Sequence, residues 1–150
     1  MPPRFTKDTL KFLRALKRNN DREWFRSRKD DYEQHVRAPM IAVIEQLAKD
    51  LPRVAPELIA SPKASLYRIY RDTRFSEDKA PLKTNAAAVF PWKGLARHEG
   101  AGLYFEVAPG WVWIGGTTKS EISPDAGQIP MVLEPGVGVR IEDVAFRAKD

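Results

Sequence analysis

Between Tyr67 and Asn85 the chain reads YRIYRDTRFSEDKAPLKTN. Five cationic side chains, Arg68, Arg71, Arg74, Lys79 and Lys83, share this stretch with Asp72, Glu77 and Asp78. An arginine is a permanently charged planar fork of donors. Arg68, Arg71 and Arg74 could therefore converge on phosphate or carboxylate oxygens, gripping them through paired hydrogen bonds. Lys79 and Lys83 could close such a site from a second loop, with the Asn85 amide beside them. Tyr67, Tyr70 or Phe75 could wall it for a base or another flat group. The same charges could instead be spent on one another. Asp72 would pair with Arg68, Arg71 or Arg22, and Glu23 with another arginine, pinning the loop to a helix. Such pairs specify geometry while adding little net stability.

A catalytic use of this segment would fall to Asp72 as base or metal ligand, with the arginines stabilising negative charge. Glu77-Asp78-Lys79 resembles the acid-x-lysine pattern of restriction-type nucleases only weakly, because no apolar strand surrounds it. No serine elbow, phosphate-binding glycine loop or dinucleotide fingerprint is present. The chain has no cysteine, which excludes disulfides and thiol chemistry. Its two histidines, His35 and His98, are too few for a His-rich metal centre and are expected at the surface. No cofactor and no metal site is expected.

The elements that must hold this segment come in two halves. Leu10, Phe12, Leu13 and Leu16 form a helical stripe, capped by Thr6 or Asp8 and stopped at Asn19-Asn20. Asp21 caps a second helix whose face carries Trp24, Phe25, Arg28 and Tyr32. Pro39 marks a break or kink. A third helix follows, with Met40, Ile44, Leu47 and Leu51 on one side, closed by Pro52 and Pro56. Beyond that, SLYRIY, GLYFEV and WVWIG predict strands, AAAVF a weaker one, and APG a hairpin turn. The fold class is α+β, with N-terminal helices packed on an antiparallel sheet and an irregular C-terminal tail. One hundred and fifty residues, 43% of them hydrophobic and 30% charged, suit one folded domain.

RIYRDTRFSEDKAPLKTN resembles the signature of a bacterial family, domain-of-unknown-function family 2461. That signature runs Arg-x-x-Arg-Asp-x-Arg-Phe-x-x-x-Lys-x-Pro-Tyr-Lys-x-Asn. Arg68, Arg71, Asp72, Arg74, Phe75, Lys79, Pro81, Lys83 and Asn85 match it. Leu82 departs, standing where the family has tyrosine. NNDREWF, from Asn19 to Phe25, and the TLKFL before it are also similar to the family. The resemblance covers residues 4–116 and implies a cytoplasmic conserved hypothetical protein with no established activity. It implies longer members too, so 1–116 is expected to be an incomplete family domain and 117–150 an atypical Gly/Pro-rich tail. Within that tail, Met131 to Phe146 resembles the C-terminal strands of creatinase/aminopeptidase-P-like metallopeptidases, which implies metal ligands at Glu134 and Glu142. The remaining ligands of such a site have no counterpart here. The tail is expected to hold at most a short hairpin or edge strand.

Charge is uneven along the chain. Residues 1–75 hold 17 Lys and Arg against 10 Asp and Glu, and residues 76–150 hold 8 against 10. A basic half attracts phosphate groups and nucleic acid. No apolar run is long enough to cross a bilayer, so no membrane partner is expected. The leading expectation is a cleft for a phosphate-bearing small molecule built by Arg68, Arg71, Asp72, Arg74, Lys79, Lys83 and Asn85, with Arg22 and Trp24 from the NNDREWF turn. A nucleic-acid-binding module, a phosphoryl-handling enzyme and a purely structural charged lock are the alternatives.

Overall fold

A computed structural model of the protein describes residues 4–95 and 102–117. The metallopeptidase-like stretch and the rest of the tail after Thr117 lie outside the described residues. Helix α1 (Lys7–Arg18) follows the N-cap residue Thr6. It buries Phe12, Leu13 and Leu16, the stripe its spacing predicts. Its end falls at Asn19 as expected, but for a different reason. Asn19 is not left-handed (φ −129°). Its backbone N–H is shared between the Ala15 and Leu16 carbonyls at 3.0 and 3.2 Å, and its side-chain Nδ2 adds a second bond to the Ala15 carbonyl at 2.9 Å.

Asp21 caps α2 (Arg22–Ser27) by accepting from the Glu23 and Trp24 amides, both at 2.9 Å. The second helix is not continuous. It pauses at Arg28, resumes as α3 (Lys29–Tyr32), widens into a π-helical turn (Glu33–Arg37) and runs into α4 (Ala38–Val54). Pro39 explains the widening. It has no N–H to give to the carbonyl four residues back, and its ring crowds that carbonyl. The carbonyl belongs to His35, and it accepts from the Thr9 hydroxyl of α1 at 2.6 Å. Thr9 is fully buried, so this bond fastens α1 to the turn. Thr9→Val should lower stability by about 1–2 kcal/mol, because the carbonyl loses a partner where water is scarce. Urea titration of the two proteins checks this.

Met40, Ile44 and Leu51 of α4 are buried as expected, and the helix runs two residues past Pro52. A four-residue helix, α5 (Pro62–Ser65), follows and is capped by Ser61. The sheet is antiparallel in the order β1 (Ala86–Pro91), β2 (Gly102–Ala108), β3 (Trp111–Thr117). Together these elements make the α+β fold expected from the two halves of the sequence. AAAVF, the weaker strand by propensity, is the heart of β1 and is buried throughout. SLYRIY is not a regular strand. It runs extended beside β1, joined by a Tyr67 N–H to Ala87 carbonyl bond of 3.1 Å and isolated bridges at Leu66 and Tyr70.

Alternation sorts the sheet faces. Ala86, Ala88, Phe90, Phe105 and Val107 join the helices in the main core, whereas Ala87, Val89 and Tyr104 form a small second cluster with Tyr67. Pro109 and Gly110 make the β2–β3 turn, with Gly110 at φ +93°, a backbone that favours glycine. Among the described residues, no helix is long and apolar enough to cross a membrane.

Candidate anion site

The signature begins on the extended segment and ends at the start of β1. Between Tyr70 and Leu82, which form an isolated bridge, the chain makes a loop that is closed by its own side chains. The Arg71 guanidinium donates to the Asp78 carboxylate at 3.0 Å and to the Ala80 carbonyl at 2.9 Å. Lys79 Nζ donates to the Thr73 carbonyl at 2.8 Å. Arg74 grips Asp72 with two parallel bonds, Nε to Oδ1 at 3.0 Å and Nη2 to Oδ2 at 2.7 Å. Those bonds from Arg74 hold the Asp72 carboxyl down at about 2, so it is ionised throughout the neutral range. Phe75, at the loop tip, is 84% exposed, with the Arg74 guanidinium 5.6 Å from its ring centre. It lies outside the core and does not line the cleft described below.

The helices do hold this loop, through an amide rather than an ion pair. Asn20 Nδ2 donates to the Leu82 carbonyl at 2.7 Å, and the Leu82 N–H donates to Asn20 Oδ1 at 3.0 Å. One side chain thus imitates a strand neighbour. Trp24 is half-buried against Phe12, with the Arg28 guanidinium 4.6 Å from its ring centre. Arg22 is exposed at the start of α2.

Arg68 faces elsewhere. On an extended segment it shares a side with Tyr70 and opposes Arg71, and it looks onto an open cleft of about 330 Å³. Lys29, Tyr32, Glu33 and Arg37 form one wall, and Leu66 to Tyr70 the other. Arg71, Asp72, Arg74 and Lys79 do not line it. Arg37 is paired with Glu33 at 3.2 Å. Arg68 and Lys29 make no hydrogen bond or ion pair among the described residues. Tyr32, Tyr67 and Tyr70 supply the aromatic surface. Burial pushes the Tyr32 phenol up to about 12, so it remains a neutral donor in the neutral range.

The cleft narrows inward to a recess of about 10 Å³ shared by Tyr32, Arg37, Tyr67 and Arg68 with Lys83 and Asn85. Signature residues Arg68, Lys83 and Asn85 therefore come together around one cavity, whereas Arg71, Asp72, Arg74 and Lys79 are gathered in the loop. Behind the recess lies Glu106 of β2, only 2% exposed. It accepts the Tyr104 hydroxyl at 2.7 Å and the Asn85 amide Nδ2. Sequence reasoning passed over Lys29, Arg37 and Glu106. The lone acid in GLYFEV was a usable signal for the last. Among the described residues no cluster of three or more acidic or His side chains could hold a metal.

Comparison with curated proteins and with solved structures finds no match. The resemblance of Met131–Phe146 to metallopeptidase strands gains no support from it. One family model, described as a conserved hypothetical protein (DUF2461), matches residues 8–123, taking in both helical and strand halves, the loop and every residue around the cleft; the chain belongs to that family.

Proposed function

We propose that the protein binds a phosphate-bearing ligand in the cleft between Lys29–Arg37 and Leu66–Tyr70, in a cytoplasmic setting. The observation that carries this reading is Arg68, an exposed guanidinium that makes no hydrogen bond or ion pair among the described residues, on the rim of a cavity of about 330 Å³. Three cations there, Lys29, Arg37 and Arg68, meet one carboxylate, that of Glu33. An anion at this rim gains charge-assisted hydrogen bonds at little cost in broken pairs. Tyr67 and Tyr70 offer faces for a flat group attached to the phosphate.

A ligand that binds only the folded protein raises its melting temperature. Inorganic phosphate and mononucleotides should do so for the wild type. Arg68→Ala should remove the response while changing intrinsic stability by less than about 0.5 kcal/mol, as expected of an exposed side chain. Arg71→Ala should do the reverse. It should cost about 1–3 kcal/mol through lost charged hydrogen bonds and leave the ligand response in place. An anion response lost with Arg71 but kept without Arg68 would overturn the assignment.

Single-stranded nucleic acid is the second reading, favoured by Tyr70, which is 45% exposed on the same rim and could stack on a base. Its affinity would fall with salt, with a logarithmic slope of about −0.7 per phosphate neutralised. Gel-shift titration over a salt series separates it from a small-ligand site, and absence of any shift at low salt removes it.

A further inference from the structure

Glu106 is a carboxylate in the middle strand, sealed from water and unused by the cleft proper. On its own strand it meets Tyr104, and from the segment before β1 it meets Asn85, with the Lys83 charge nearby. Its register neighbours are Ala87 on β1 and Trp113 on β3, neither of which titrates. Tyr67, from the extended segment, packs on Tyr104 and lies 5.0 Å from Lys83 Nζ. Asn85 and Lys83 are also lining residues of the recess at the inner end of the cleft. Glu106 thus stands one hydrogen bond behind that wall.

We infer that Glu106 is a positioning residue that fixes the Asn85 amide at the inner end of the cleft and couples anion binding there to the uptake of a proton. This rests on the cleft reading above. The recess has room for one oxygen-sized atom, such as one oxygen of a tetrahedral anion whose remainder lies against Arg68. An oxygen carrying negative charge there faces the Glu106 carboxylate through a thin, poorly screened layer of protein. Protonating Glu106 removes that repulsion and keeps the Lys83 charge acting on the anion. Reciprocity then requires that a bound anion tighten the hold of Glu106 on its proton. Burial already moves Glu106 in this direction, raising it above the ordinary carboxylate value against the opposing pull of Tyr104, Asn85 and Lys83.

Sulfate is the suitable probe, because its charge is constant over the relevant range whereas phosphate titrates within it. Its affinity for the wild type, measured by calorimetry from about pH 5 to about pH 8, should fall by about tenfold, the effect of one unit of coupling. Glu106→Gln keeps a carbonyl for Asn85, and the Tyr104 hydroxyl can turn to accept from the new amide. This variant should bind with the wild type's low-pH affinity across the whole range. Tyr104→Phe removes a donor that favours the charged carboxylate, so the fall should move to higher pH. It serves as an independent test if the glutamine variant folds poorly. An unchanged slope in Glu106→Gln, or an unmoved profile in Tyr104→Phe, overturns the inference. So does a flat wild-type profile with binding still lost in Arg68→Ala, and that outcome leaves the cleft reading standing. A Glu106-dependent profile that is indifferent to Arg68→Ala sinks the assignment to Arg68 alone. No sulfate binding at any pH sinks both.

Discussion

Asn20→Ala is expected to destabilise the protein by about 2–4 kcal/mol, more than any other single polar truncation proposed here. The Asn20 amide is the donor for the Leu82 carbonyl and the acceptor for the Leu82 N–H, and Leu82 is 1% exposed. Truncation strands two buried main-chain groups at once, and each carries its own desolvation penalty. Asn20→Asp should not rescue the loss. It keeps an acceptor for the Leu82 N–H but sets a carboxylate oxygen against the Leu82 carbonyl. The measurement is the urea midpoint at unchanged slope, which isolates stability from a change in compactness. A loss below about 0.5 kcal/mol would mean that water replaces the amide, and that the contact is not what joins the signature segment to the helices.

Gly102→Ala is expected to cost about 2–3 kcal/mol, at the upper end of the usual range for overpacking. A methyl group at Gly102 would meet the Phe90 carbonyl oxygen at 2.7 Å and the Pro91 Cα at 3.4 Å. Both are main-chain atoms of the neighbouring strand, so no side-chain rotation relieves the clash. The strands must separate where β1 and β2 begin their pairing. Gly110→Ala makes a useful contrast. It meets nothing within 4 Å but sits at φ +93°, so its cost of about 1 kcal/mol is backbone strain alone. Thermal melts of the two variants should rank Gly102→Ala as the more damaging. The reverse order would show that the strands yield more easily than their spacing implies.

Elements set by local rules were legible in the sequence. The stripe of Leu13 and Leu16, the Asp21 cap and the buried face of Met40 and Ile44 each depend on residues a few positions apart. GLYFEV and WVWIG are strands as expected, but SLYRIY outranks AAAVF by propensity although only AAAVF forms a regular strand, because β-propensity rewards bulk. Ala86 to Ala88 are small because β1 is covered on both faces, which is a fact about neighbours and not about the segment. The site divided in the same way. The arginine density of Arg68 to Arg74 was plain, but the direction of each guanidinium was not. Arg71 and Arg74 find acceptors within ten residues and are held in the loop. The cleft wall of Lys29, Tyr32 and Arg37 lies over thirty residues upstream of Arg68, and only tertiary packing brings it there.

The order in which these contacts can form follows from their reach along the chain. The Arg71 clasp and the β2–β3 hairpin close loops of few residues, which costs little entropy and proceeds on the microsecond scale. The Asn20–Leu82 contact spans 62 residues and must wait until the helical half and the signature loop exist and meet. The two cleft walls come from either side of α4, so they too are apart until that long-range closure is made. The arginine loop therefore closes at a lower entropic cost than the cavity, whose two walls come together only when the two halves dock.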